Sequence, residues 1–177
     1  MNRSDRIITL GKSLGKDPII ACIGSTKIIS DCFGPIVGQL LTEKYRVKAN
    51  VVGTLFAPLH AVNLTERLFS AVNEHPLSKV IAVDACEINE NRDLIRIIDG
   101  GIKPGLASGK DLPRIGDISI VASSYKYNGN LHCLGRIYRL ADTVAKLIDF
   151  MIAQSNEQSA KEQQIHSSYY RNYNTCS

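Results

Sequence analysis

The sequence lacks tryptophan, long apolar runs and paired cysteine motifs. The last two absences argue against a membrane-spanning protein and against a disulfide or zinc framework. Its longest apolar run, Ile19–Ile23, is five residues, far below the roughly 20 that a membrane-spanning helix needs. The five cysteines are odd in number and contain no C-x-x-C pair, which argues against a disulfide framework or a zinc ribbon. We therefore expect no membrane span or secretion signal, and a location in the reducing cytoplasm.

Nucleotide and nucleic-acid motifs are equally scarce. There is no G-x-G-x-x-G and no P-loop spacing, and Gly24-Ser25-Thr26 is more typical of a plain turn. The net charge is +4 without a run of Lys or Arg, so we expect no direct nucleic-acid binding.

The chain is long enough for one domain with a full core. It has 177 residues, of which 44% are hydrophobic. We expect a single domain over residues 1–153. The polar stretch 154–177 is predicted to be a disordered tail.

Strand and helix patterns alternate along the first half of the chain. This order is typical of parallel strands joined by right-handed crossovers, and it predicts an α/β layered fold. The predicted elements are a strand at Ile19–Gly24, a helix from Gly34, a strand at Ala49–Thr54, a helix after Pro58 and a strand at Lys79–Asp84. Further on, the pattern predicts strands at Asp93–Asp99 and Asp117–Ser123 and a helix at Leu131–Ala153.

Two aspartates, Asp31 and Asp84, follow buried strands at the point where each strand ends. Ligands collect beyond the carboxyl ends of the strands in an open parallel sheet. Neighbouring strands lie about 4.8 Å apart, so carboxylates at adjacent ends can share a proton or a metal. A structural role is also open, since Asp31 could cap the following helix and Asp84 could close a strand.

Histidine, cysteine and lysine side chains could join this site. His60 follows the second strand and could be a metal ligand or proton carrier. Cys32 and Cys86 flank the aspartates, although a buried cysteine is more often a small apolar residue. The Gly- and Pro-rich stretch between the fourth and fifth predicted strands is typical of a substrate-binding loop, with candidate residues Lys103, Lys110 and Asp111.

Several motifs together resemble the sporulation protease family of spore-forming bacteria, the YyaC-like group. The resemblance covers roughly residues 19–153 and is carried by Ile23-Gly24, Asp31-Cys32-Phe33-Gly34-Pro35, Gly53-Thr54-Leu55 with Pro58, His60-Ala61-Val62-Asn63-Leu64, Val83-Asp84-Ala85-Cys86, Lys103-Pro104-Gly105, Lys110-Asp111-Leu112-Pro113 and Gly116-Asp117-Ile118. That family is similar in fold to the spore germination protease and the hydrogenase maturation endopeptidases. The resemblance implies a three-layer α/β/α domain around a mixed, mostly parallel sheet.

The resemblance also implies roles for the two aspartates. By similarity to the germination protease, Asp31 and Asp84 are the catalytic pair of an aspartic-type endopeptidase of sporulation or germination. Small spore proteins are the implied substrates, and the forespore or spore interior is the implied location. By similarity to the maturation endopeptidases, the alternative is a divalent metal held by Asp31, Asp84 and a histidine, for which His60 and His132 are candidates. A third hypothesis is a spore-associated binding protein that has the fold but no catalytic turnover.

Overall fold

The computed structural model describes residues 2–86, 93–104, 113–123 and 133–173, with side chains as far as residue 164. Its elements in chain order are α1 (Arg3–Lys12), β1 (Ile19–Cys22), a 3-10 turn (Ile29–Cys32), α2 (Phe33–Gln39), a π-helical turn (Leu40–Lys44), β2 (Asn50–Val52), α3 (Leu64–Glu74), β3 (Val80–Ala85), β4 (Leu94–Asp99), β5 (Ile118–Ser123) and α4 (Leu134–Tyr173).

The five strands form one mixed, mostly parallel sheet in the order β2-β1-β3-β5-β4. Four of them are parallel, and only the edge strand β4 runs antiparallel, against β5. The carboxyl ends of β2, β1, β3 and β5 therefore lie at one edge of the sheet, which we call the carboxyl rim. The predicted α/β fold with a mixed sheet is confirmed.

Both faces of the sheet are covered, because the buried strands alternate between two apolar clusters. Ile20 and Cys22 of β1 pack in the larger cluster with α1, α2 and α4. Ala21, with Ile23 just beyond β1, packs in a smaller cluster on the opposite face, against Leu64 of α3. Since side chains of a strand alternate with period 2, the fully apolar β1 must be buried on both sides. The result is the three-layer arrangement.

The last helix differs from its prediction. The polar composition after Ala153 predicts the end of the helix and a disordered tail, but α4 continues to Tyr173. Two reasons explain the difference. Residues Met151, Ile152 and Ser155 are still buried, and the Ser155 hydroxyl donates a 2.6 Å hydrogen bond to the Gly15 carbonyl. Beyond them, Gln, Glu, Lys and Ala are good helix formers that extend a turn already nucleated.

The length and apolar character of the described helices bear on whether any could span a membrane. Within the described ranges, none is both long and apolar enough to cross a bilayer.

Candidate active site

The carboxyl rim is organised around the dipeptide Ile23-Gly24, directly after β1. The Ile23 N–H donates to the Val83 carbonyl at 2.7 Å, which extends the pairing of β1 with β3 by one residue. Asp84 is the next residue of β3, and the following Ala85 N–H donates to its Oδ1 at 2.9 Å. The strand register therefore places Asp84 beside Ile23, the first residue of this dipeptide.

Close backbone packing brings Asp31 to the same dipeptide. The Ser25 N–H donates to the Asp31 carbonyl at 3.1 Å. A Cβ atom added at Gly24 would lie on that carbonyl oxygen, 2.1 Å away, and Gly24 has a φ of +151°. Only glycine allows the 3-10 turn that carries Asp31 to approach this closely.

A second glycine contact fixes the start of α2 against β1. A Cβ atom at Gly34 would lie 1.9 Å from the Ile23 carbonyl oxygen, so the helix backbone rests directly on the strand end. The N-cap residue of α2 is Cys32, so Asp31 is not the cap that one interpretation of the sequence gave it. The carboxylate of Asp31 is thus left for another role.

His60 reaches the rim through the β2–α3 connection. Leu59 forms a parallel bridge with Ile23, and its carbonyl accepts from the Gly24 N–H at 2.8 Å. His60 is the next residue. Its N–H donates to the Asn63 side-chain oxygen at 2.8 Å, which holds the turn before α3. Each of the three candidate residues is thus close to this dipeptide. Asp31 packs on Gly24. His60 follows Leu59, whose carbonyl accepts from Gly24, and Asp84 follows Val83, whose carbonyl accepts from Ile23.

The electrostatics agree with this proximity. Burial raises the pKa of Asp84 to about 7, the Ala85 N–H lowers it, and the negative charge of Asp31 raises it further. Burial also raises the pKa of Asp31, while the Ser25 N–H and the charge of His60 lower it. The charge of Asp31 therefore interacts with the carboxyl group of Asp84 and with the charge of His60.

These two environments separate the roles of the carboxyl groups. Asp84 keeps its proton up to about neutral pH, because it is the more buried group. Asp31 has N–H and histidine partners that favour its ionised form. General acid–base hydrolysis requires one group that gives a proton and one that takes it, and two carboxyl groups with different environments can serve as such a pair.

The cysteines next to the aspartates favour their neutral thiol form. Burial and the charge of Asp31 raise the pKa of the Cys32 thiol, whose Sγ donates to the Ile28 carbonyl at 3.3 Å. Burial raises the pKa of Cys86 as well, against a lowering by Arg96. A thiol with a raised pKa is a poor nucleophile, so both cysteines act here as small apolar residues.

The remaining predicted residues are placed as follows. Lys103 is exposed and follows Ile102, which bridges Ile115 on the α3 face of the sheet. Its role in substrate binding stays a prediction. Lys110, Asp111 and His132 lie outside the described residues.

The candidate metal ligands are among the same residues. Within the part of the chain that the structure describes, no three side chains of His, Cys, Asp or Glu are grouped so that they could hold a metal ion. Asp31, Asp84 and His60 do not form such a group, and a metal held by them stays a prediction.

Three residues that shape the site were not expected from the sequence. Ser25 supplies the N–H that lowers the pKa of Asp31. Asn63 holds His60, and Arg67 donates from Nη1 to the carbonyls of Ala57 and Pro58 at 2.9 and 3.0 Å. The spacing His60-x-x-Asn63 just before a helix is a usable signal, since Asn side chains commonly close such turns.

Comparison with known proteins gives an uncharacterized relative, a solved structure and a family. The uncharacterized protein YyaC of Bacillus subtilis is 38% identical over 114 residues, which are 63% of this chain. The match spans only 55% of that relative's length. A solved structure, the NiFe hydrogenase maturation protease HycI from Thermococcus kodakarensis, aligns with a TM-score of 0.45 at 16% identity. That alignment covers 77% of this chain and 94% of the other. The DUF1256 family, described as a protein of unknown function, matches residues 4–153, and the chain belongs to that family.

Proposed function

We propose that this protein is an endopeptidase that hydrolyses a protein substrate with Asp31 and Asp84. The observation that carries the proposal is the coupling of two carboxyl groups, 53 positions apart in the chain, at one rim of the sheet. Desolvation raises the pKa of Asp84 to about 7, whereas the Ser25 N–H and the charge of His60 favour the ionised form of Asp31. Such a pair activates water without a covalent intermediate.

The proposed reaction assigns one proton transfer to each group. Ionised Asp31 removes a proton from water, whose oxygen attacks the carbonyl carbon of the scissile peptide bond. Protonated Asp84 gives its proton to the carbonyl oxygen. When the C–N bond breaks, the amine leaves with the proton that Asp31 received, and the carbonyl oxygen returns its proton to Asp84.

The biological setting of the proposal rests on the resemblance to the sporulation protease family. We assign the reaction to sporulation or germination, inside the forespore or spore, with small spore proteins as substrates. Purified candidate spore proteins incubated with the full chain test this assignment. Cleavage of none of them, with cleavage of other proteins, would contradict the setting but not the chemistry.

The mechanism is tested with single substitutions and a mixture of proteome-derived peptides read by mass spectrometry. Asp31→Asn and Asp84→Asn each lower the cleavage rate at least about a hundredfold, because each removes one half of the acid–base pair. Asp99→Asn is the matched control. Asp99 is exposed and pairs with Ile118 at the opposite end of the sheet, so this change leaves cleavage intact. Full activity in either site variant would refute the mechanism.

A further inference from the structure

The loops at the carboxyl rim expose several large apolar side chains. Among the described residues, five of the eleven most exposed large apolar side chains lie on the two loops that follow β1 and β2. We call this set the apolar rim. Its members, with their exposed fractions, are Ile28 (62%), Ile29 (49%), Leu55 (37%), Phe56 (87%) and Val62 (81%).

The most exposed member, Phe56, lies on a loop whose backbone is fixed by hydrogen bonds. The Thr54 N–H donates to the Ala57 carbonyl at 3.1 Å, and the Ala57 N–H donates back to the Thr54 hydroxyl at 3.2 Å. These two bonds close a turn whose tip is Leu55-Phe56. Arg67 fixes the far side of the turn through the Ala57 carbonyl. Phe56 is therefore presented to solvent by a preformed backbone.

The second side of the apolar rim belongs to the loop that carries Asp31. Ile28 accepts from the Asp31 N–H at 3.0 Å, and Ile29 begins the 3-10 turn. Val62 lies two residues after His60, and its N–H makes a long, 3.4 Å contact with His60 Nδ1. Thus apolar side chains extend from the same short segments that carry Asp31 and His60. Clustered apolar side chains on a surface mark interaction sites.

We propose that the apolar rim binds an aromatic or branched aliphatic side chain of an extended substrate peptide, next to the bond that is cut. This inference rests on the proposed function, which makes the occupant of the rim a peptide. The two loops fit this occupant, since the loop that exposes Phe56 leads to His60 and the loop that exposes Ile28 carries Asp31. The specificity is then for apolar residues in the substrate.

Binding is measured separately from cleavage. The full-length Asp84→Asn variant is immobilised and a randomised peptide library is passed over it. Captured peptides are sequenced by mass spectrometry. The result expected is enrichment of Phe, Tyr, Leu, Ile or Met at one position. Absence of any such enrichment would overturn the proposal.

Variants of the apolar rim complete the test. Phe56→Ser in the same background weakens binding of a captured peptide about tenfold, measured by fluorescence anisotropy. Leu77→Ser is the matched control, because Leu77 is 97% exposed but precedes β3 at the other end of the sheet. Unchanged peptide affinity in Phe56→Ser, or an equal loss in both variants, would overturn the proposal.

One other occupant is an outcome of the same experiment. If Phe56→Ser converts a self-associated protein to a monomer by light scattering and leaves peptide affinity unchanged, the rim binds a second copy and the proposal is overturned. If wild-type protein cleaves the library without apolar preference, the proposed function stands and this inference fails. If apolar peptides are bound but no peptide is cleaved, the peptidase proposal fails, and the placement of the bound side chain next to a cut bond fails with it.

Discussion

Asp31 and Asp84 reach the same rim through two different kinds of structure. Asp84 is held by a regular strand, with hydrogen-bonded neighbours in β1 and β5 that share its register. Asp31 is held by an irregular turn whose backbone rests on Gly24. A strand in the middle of a sheet distributes any local disturbance over many hydrogen bonds. A turn that packs backbone against backbone has fewer hydrogen bonds over which to distribute a disturbance. The stability of the protein should therefore respond differently to substitutions in the two regions.

The largest effect is expected from the glycine contacts of the Asp31 region. Gly34→Ala places a Cβ atom 1.9 Å from the Ile23 carbonyl oxygen, and only a shift of α2 can relieve that overlap. We expect a loss of about 3 kcal/mol or more in the free energy of unfolding, measured by urea denaturation.

The same substitution at Gly135 is the matched control. Gly34 and Gly135 are each the second residue of a helix, but at Gly135 the nearest atom to an added Cβ is 3.9 Å away. Gly135→Ala is therefore neutral or stabilising by up to about 1 kcal/mol. Equal destabilisation in both variants would show that close packing does not position the Asp31 region.

A smaller effect, dependent on pH, is expected from Asp84. Its folded-state pKa of about 7 lies above the ordinary value of 3.8, so the folded protein binds more protons between these pH values. Stability is therefore fully present below about pH 4 and falls as pH rises towards 7. Asp84→Asn removes this pH dependence. The change in the free energy of unfolding that the substitution causes is therefore more favourable at pH 8 than at pH 4, by on the order of 1–4 kcal/mol.

Asp31→Asn sharpens that comparison. Burial also raises the pKa of Asp31, but N–H and histidine partners oppose the rise. The same pH-dependent gain is therefore smaller than in Asp84→Asn. Urea denaturation of both variants at pH 4 and pH 8 measures the difference. A larger gain in Asp31→Asn would reverse the assignment of acid and base.

Much of this arrangement could be predicted from the sequence. The apolar run that becomes β3 locates Asp84 near a strand end, and the alternation of strands and helices gives the α/β fold. The return of Asp31 to the rim depends on the contact of its turn with Gly24, which the apolar pattern does not encode. The position of His60 could not be derived in this way, because it depends on a bridge between Leu59 and Ile23 that local pattern does not encode. The end of α4 was missed for a related reason, since the buried Ser155 makes its hydrogen bond to the carbonyl of Gly15, 140 positions away in the chain.

The smallest effect is expected from His60, and it concerns the pH dependence of cleavage. Because the charge of His60 lowers the pKa of Asp31, His60→Gln moves the acidic limb of the pH–rate profile to higher pH. The alkaline limb, set by loss of the Asp84 proton at about pH 7, stays in place. Cleavage rates from pH 4 to pH 9 give both limbs. Movement of the alkaline limb alone would place His60 nearer to Asp84 than to Asp31.

The hydrogen bond from Gly24 to Leu59 has a mechanical consequence. It joins the β2–α3 connection, which carries Phe56 and His60, to the end of β1. Gly24 also makes the close contact with the Asp31 carbonyl. Replacement of Gly24 would therefore disturb both loops of the carboxyl rim at once, because one residue anchors them both.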